Sequence, residues 1–297
     1  MPLSSIATTA TITSALYFLL LIQSCPNFVT SYTILGGIDD HSSTDDDEQS
    51  KEDDTIIQET LRHFSPPRQR VQLRTQTHET SGRVSMAGTL WEASPLLADY
   101  ISNPACSPLF KNDDASTLTS SQPRSVVELG SGVGLASLSA AFAGCRVVAT
   151  DGSPSSIKLL NENFERYKND CPVPPQAVYL EWGDISTIES IIHNQLLGKL
   201  PDVIMASDVV YAHSAREELS QTIRKLCPKG HIHGRVVLAH RWRTDPSDEE
   251  SFFHSFHDEF DINQVGLEYF PEDEYYRTRS MIDMRYPMSI FEMRRKW

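Results

Sequence analysis

No C-x-x-C pair occurs in this 297-residue sequence, and its five cysteines (Cys25, Cys106, Cys145, Cys171 and Cys227) are irregularly spaced. Such spacing suggests neither a zinc site nor a disulfide framework. The histidine pairs His231/His233 and His254/His257 lack a cysteine or acid cluster at ligand spacing, so no metal is expected. There is no N-x-[ST] glycosylation sequon. Residues 1–38 contain no Asp, Glu, Lys or Arg, and the apolar run at 15–22 is too short for a typical transmembrane helix.

Positive charge is scarce too. The formal net charge is -14, and the nine acids and one lysine of residues 39–54 carry eight of those negative charges. The remainder is also acidic. Nucleic-acid binding draws on clustered Lys and Arg that displace counterions, so a nucleic-acid partner is not expected. A basic protein surface is the better match.

Residues 1–31 have two readings. The apolar centre at 15–22, followed by Val29, Thr30 and Ser31 as a small-residue cleavage site, fits a signal or targeting segment. The lack of a basic residue before it fits a plain N-terminal extension instead. Residues 32–54 read as an acidic disordered linker, with almost nothing to bury. Residues 55–297 then hold the domain, with its core at 80–297. Ile57, Leu61 and Phe64 predict a short helix over 55–64, stopped by Pro66 and Pro67.

The remaining pattern alternates. Strands are expected at 126–129, 146–150, 177–181, 202–206, 235–239, 262–269 and 288–293. Helices are expected at 133–142, from Ser153 onward, and at 186–197, 215–226 and 248–259. In the helix opened by Ser153 and Pro154, Ile157, Leu160, Phe164 and Tyr167 form the apolar face. The expected fold is α/β: a Rossmann-like, seven-stranded, mostly parallel sheet with helices on both faces and an antiparallel C-terminal strand. Ligands of such sheets bind at the carboxyl ends of the strands. Glu128, Asp151, Trp182, Asp184, Asp208, Tyr211, Arg241 and Arg243 all fall at such ends.

The first strand runs into Gly130, Gly132 and Gly134, and Asp151 closes the second. Strand, glycine turn, helix, strand and acid form a unit that binds a nucleoside-containing cofactor. The register is G-x-G-x-G rather than G-x-G-x-x-G, with Leu135 in place of the next glycine. A nicotinamide dehydrogenase is therefore the second choice.

The E-x-G-x-G-x-G stretch at 128–134, with Asp151 after it, resembles motif I of the class I S-adenosylmethionine-dependent methyltransferases. The resemblance extends to Trp91 in G-x-L-W-E-x-S-P-x-L, to Trp182 and Asp184, and to the D-x-x-Y signature of Asp208 and Tyr211. In that order these motifs resemble the seven-β-strand protein-lysine methyltransferase family 16, over residues 80–297. The resemblance implies S-adenosyl-L-methionine as cofactor, bound by Trp91, Glu128, Gly130, Gly132, Gly134, Asp151, Trp182, Asp184 and Ala206. It implies Asp208 and Tyr211 as catalytic residues, a lysine-bearing protein substrate, and a protein-lysine N-methyltransferase of the cytoplasm; a monomer is expected. The N-terminal segment, read as a signal or membrane anchor, points elsewhere. The alternatives are a methyltransferase acting on a small molecule or another non-lysine acceptor, and a non-catalytic binding module on the same fold. Val209 and Val210 stand where base-methylating enzymes carry two prolines. By the resemblance Arg243, or equally Arg241, falls where many members carry an arginine after the fifth strand; taken alone the pair Arg241/Arg243 reads as solvated charges, and Glu249/Glu250 as surface.

Overall fold

The computed structural model describes residues 52–61, 69–78, 88–110, 122–243, 246–265 and 288–297. The readings for 1–31, for most of the acidic linker and for the last four residues of the strand expected at 262–269 lie outside the described residues. Two strands open the described chain. β1 (Glu52–Leu61) and β2 (Gln69–His78) pair antiparallel, from Glu52 opposite His78 to Leu61 opposite Gln69. The helix expected over 55–64 is therefore a strand, and three residues assigned to the acidic linker, 52–54, belong to it. Thr55, Ile56, Ile57 and Thr60 are β-branched and suit a pleated surface. Their pairing partner, β2, lies in a stretch where no element was expected.

After α1 (Ala93–Ser102) the chain alternates: β3 (Ser125–Leu129), α2 (Leu135–Phe142), β4 (Arg146–Asp151), α3 (Pro154–Tyr167), β5 (Gln176–Tyr179), α4 (Ile185–Ser190), β6 (Val203–Ser207), α5 (Arg216–Leu226), β7 (Arg235–Arg241) and α6 (Pro246–His254). It ends with β8 (Phe260–Val265) and β9 (Met288–Arg295). α4 continues as one π-helical turn, Ile191–Gln195.

The strands form one seven-stranded sheet in the order β5-β4-β3-β6-β7-β9-β8. β3 to β7 pair in parallel, and β9 pairs antiparallel with β7 and with β8. This is the expected architecture. Both faces are covered, so the central strands read as near-continuous apolar runs, interrupted in β3 by Glu128, rather than alternating apolar with polar. Strand pleating sends successive side chains to opposite faces. Val126, Val147, Val203 and Val237 join the buried cluster of α1, α2 and α3. Val127, Val148, Ile204 and Val236 join the cluster of α4, α5 and α6.

Register then positions the site. Leu129 lies opposite Thr150 on one side and Ala206 on the other, and Ala206 lies opposite Leu238. β3, β4 and β6 therefore end within one residue of this row, while β7 runs on to Arg241. The residues that follow, Gly130, Asp151, Ser207 and Ala239, emerge together where the strand order reverses between β3 and β6. Asn163 of α3 ties β2 to this edge: its Oδ1 accepts from Arg74 N at 2.8 Å, and its Nδ2 donates to Val133 O at 2.9 Å.

Candidate active site

The glycine turn is held from two sides. Ser131 N donates to Thr150 O at 2.8 Å, and Gly132 N donates to Asp151 Oδ2 at 3.0 Å. The other oxygen of Asp151 accepts from Ser153 N at 2.9 Å, which also fixes the entry to α3. Burial raises the Asp151 pKa above its ordinary value, opposed by those two backbone donors. Gly130 has φ +67, and a Cβ there would meet Val209 Cγ1 at 2.9 Å and Trp182 Cζ2 at 3.3 Å. Only glycine allows both the turn and the close approach of those two side chains.

Next to β4, Leu180 N donates to Asp151 O at 3.0 Å, bringing Glu181 and Trp182 beside the turn. Gly183 N donates to Thr222 Oγ1 of α5 at 2.8 Å. Opposite stands Asp208. It is 5% exposed and has φ 59, in the left-handed region that costs a non-glycine residue about 1–2 kcal/mol. Its backbone N donates to Ala239 O at 2.8 Å, which secures that conformation. Arg243 Nη2 donates to Asp208 Oδ2 at 2.7 Å, while Oδ1 is buried and accepts no hydrogen bond among the described residues. The Arg243 guanidinium also lies 5.9 Å from the centre of the Tyr211 ring. Partial burial, then the charges of Asp151 and Asp208, push the Tyr211 phenol above its ordinary value, and Arg243 opposes them.

These groups enclose a cleft of about 610 Å³, within the roughly 300–1,000 Å³ of small-molecule sites. Of the sequence-predicted residues, Trp91, Gly130, Gly132, Asp151, Trp182, Asp208 and Tyr211 line it. Four others do not. Glu128 is fully buried on the α2 side of the sheet, bonded to Ser137 Oγ, and burial raises its pKa to about 7. Gly134, at φ +85, lies against α3: a Cβ there would meet Leu160 Cδ2 at 2.6 Å. Asp184 caps α4, accepting from Ser186 N at 3.1 Å and Thr187 N at 3.2 Å. Hydrogen bonds from Thr187 and Ser186 lower its pKa to about 2. Ala206 points into the core with α4 and α5.

Glu181, Ser214 and Glu218 line the cleft although the sequence did not single them out as site residues. Glu181 adjoins Trp182, a usable signal; Ser214 and Glu218 arrive by the fold alone. Two sequence readings are corrected. Arg243 is not a solvated charge but the ion-pair partner of buried Asp208. Glu249 is not surface: it is 5% exposed and bonded to Arg243 N and His240. The Arg241 side chain pairs with Glu92 at 2.6 Å, while its backbone O accepts from Arg243 Nη1 at 3.2 Å.

The donor set fits S-adenosylmethionine. Gly130 lets Trp182 approach the turn at the edge of the cleft, Trp91 and Trp182 offer flat apolar walls, and Asp151 offers a carboxylate to a ribose diol. Among the described residues, no group of three or more His, Cys, Asp and Glu could hold a metal ion. No helix among them is long and apolar enough to cross a membrane.

A family model described as lysine methyltransferase matches residues 69–259. Mouse protein-lysine methyltransferase METTL21E is 34% identical over 144 residues, covering 48% of this chain and 55% of that protein. Mouse EEF1A lysine methyltransferase 3 is 26% identical over 180 residues, covering 59% of this chain and 65% of that protein. Mouse protein N-lysine methyltransferase METTL21A is 27% identical over 217 residues, covering 72% of this chain and 84% of that protein. The match thus spans about half the length of METTL21E.

Proposed function

The chain belongs to the lysine methyltransferase family, and from that premise we propose that it transfers a methyl group from S-adenosylmethionine to a lysine side chain of a protein substrate. The observation that carries this is the opposition of Asp208, Tyr211 and Arg243 to the Gly130–Asp151 side of one cleft. When bound, S-adenosylmethionine supplies a methyl group on a sulfonium whose leaving group is a neutral thioether.

The protein's part is therefore alignment and exclusion of water. Gly130 and Gly132 would let the backbone pass close under the donor, and Asp151 would accept from its ribose hydroxyls. Trp182 and Leu180 would hold the base, and Trp91 would close the side. Glu128, Gly134 and Ala206 support the turn from below. Asp184 holds the start of α4, which follows Trp182.

On the acceptor side an ammonium has no lone pair, so it must lose a proton before attack. Asp208 draws in the lysine head at Oδ1, because Arg243 already occupies Oδ2. The Tyr211 ring orients the amine and favours a cation by its π face. Around the cleft Asp151, Glu181, Asp208 and Glu218 stand against one arginine, Arg243, a balance that favours a cationic acceptor over a polyanion.

We place the methyltransferase domain from the start of β1, at 52–297, and expect a monomer, with light scattering giving the mass of one chain. We further propose a cytoplasmic protein, for which fractionation of cells is the check. The functional test is incubation of the chain and labelled cofactor with a cell extract, followed by mass spectrometry of labelled products. Label on lysine supports the proposal. Label on RNA, on a small molecule or on histidine overturns it.

A further inference from the structure

After Pro246 and Ser247, α6 carries three consecutive acids, Asp248, Glu249 and Glu250, the first two in the opening turn, where a helix N-terminus favours negative charge. The structure separates them. Glu250 is exposed and Asp248 half-buried, while Glu249 is 5% exposed. A carboxylate taken out of water needs hydrogen-bond partners. One oxygen of Glu249, Oε2, accepts from the backbone N of Arg243 at 3.0 Å and meets His240 Nε2 at 3.1 Å. Burial holds the His240 imidazole below its ordinary pKa, against the pull of Glu249.

The neighbouring acid holds the other side of the cleft. Asp248 Oδ2 accepts from Arg216 Nη1 at 2.9 Å, and Asp248 Oδ1 lies 3.3 Å from His213 Nδ1. Arg216 in turn donates through Nε to Val210 O at 2.9 Å, one residue before Tyr211. Two adjacent residues of α6 therefore anchor the two segments that carry Tyr211 and Arg243. Those segments leave β6 and β7 separately, yet their side chains meet over the cleft.

Resting on the methyl-transfer reading above, we propose that Glu249 is a positioning residue acting through Arg243. It holds the Arg243 backbone so that the guanidinium stays on Asp208 Oδ2. That leaves Asp208 Oδ1 for the acceptor amine and fixes the carboxylate beside Tyr211. Glu249 itself does not line the cleft. Its loss therefore bears on acceptor turnover and not on the cofactor.

The experiment is a double-mutant cycle with E249A, R243M and the combined variant, together with E249Q. It reads calorimetric affinity for S-adenosylmethionine, kcat and KM for the labelled acceptor, and the thermal midpoint. Cofactor Kd is expected to stay within about twofold in E249A while kcat falls about tenfold. E249Q keeps an oxygen that accepts from Arg243 N, and recovers most of the rate. R243M loses about as much as E249A, and the double variant loses no more than R243M, because coupled residues are non-additive. A double variant about a hundredfold slower, the product of the single losses, overturns the proposal. So does native kcat in E249A, or a cofactor affinity that falls in step with the thermal midpoint. If E249A does not fold, E249D, whose carboxylate is one methylene shorter, replaces it with the same outcomes. Label on an acceptor other than lysine overturns the lysine reading, while the ratios among variants still decide the role of Glu249.

Discussion

Arg243 and Asp208 are 35 residues apart in the chain, and a 2.7 Å hydrogen bond joins them in the cleft. The arginine is partly exposed and the aspartate almost wholly buried. Removing the aspartate's charge therefore leaves a guanidinium that water can still reach, which limits the structural damage. Asn also tolerates the left-handed backbone at this position. Asp208→Asn is expected to lower methyl transfer about a hundredfold while cofactor affinity stays within about twofold. Steady-state turnover and calorimetry on one preparation check this; wild-type turnover removes the assigned role.

Asp151 makes a contrasting prediction. Its carboxylate accepts from Gly132 N and Ser153 N and faces the cleft. Asp151→Ala is expected to weaken S-adenosylmethionine binding by at least about tenfold, or about 1.4 kcal/mol. An unchanged calorimetric Kd sinks the assignment of this acid to the ribose.

Gly134 and Gly144 share φ +85, but only Gly134 has neighbours in the way: Leu160 Cδ2 at 2.6 Å and Phe164 Cε1 at 2.8 Å from an added Cβ. Gly144→Ala is expected to cost about 1–2 kcal/mol of backbone strain alone. Gly134→Ala adds a core clash of about 1–3 kcal/mol. Urea unfolding of both variants tests the order, and equal losses count against the packing role of Gly134.

Glu128 predicts a pH dependence. Burial raises its pKa from 4.5 to about 7 in the folded protein. A carboxyl raised on folding contributes stability that is fully present below about 4.5 and lost as pH rises through 7. The loss is on the order of 3 kcal/mol. Glu128→Gln retains a partner for Ser137 and cannot ionise. Its stability relative to the parent should therefore grow between pH 4.5 and 7 and level off above. A difference that is flat across this window, measured by denaturant titration, contradicts the assignment.

Much of the fold could be read from short-range pattern. Residues 126–134 and Asp151 show the strand, turn and acid, because each step depends on neighbours in sequence. Leu219, Ile223 and Leu226 mark the buried face of α5 for the same reason, and all three are buried. The β1–β2 hairpin was not legible. Ile57 and Leu61 also satisfy a helical period, and only pairing with β2 decides between the two. Asp184 shows the limit at the site: its position after Trp182 is as expected, but its side chain turns to Ser186 and Thr187.

The sequence by itself determined which groups stand at the strand ends. Glycines before α2, an acid closing β4 and the D-x-x-Y stretch after β6 are local facts, fixed by where each strand stops. Tertiary structure alone decided which of those groups meet. The β3–β6 junction brings Asp208 opposite Gly130, and α6 folds back so that Glu249 holds Arg243. Charge partners are chosen by distance and burial, and Arg241, Arg243, Glu249 and Glu250 look alike until the sheet and its helices have set both.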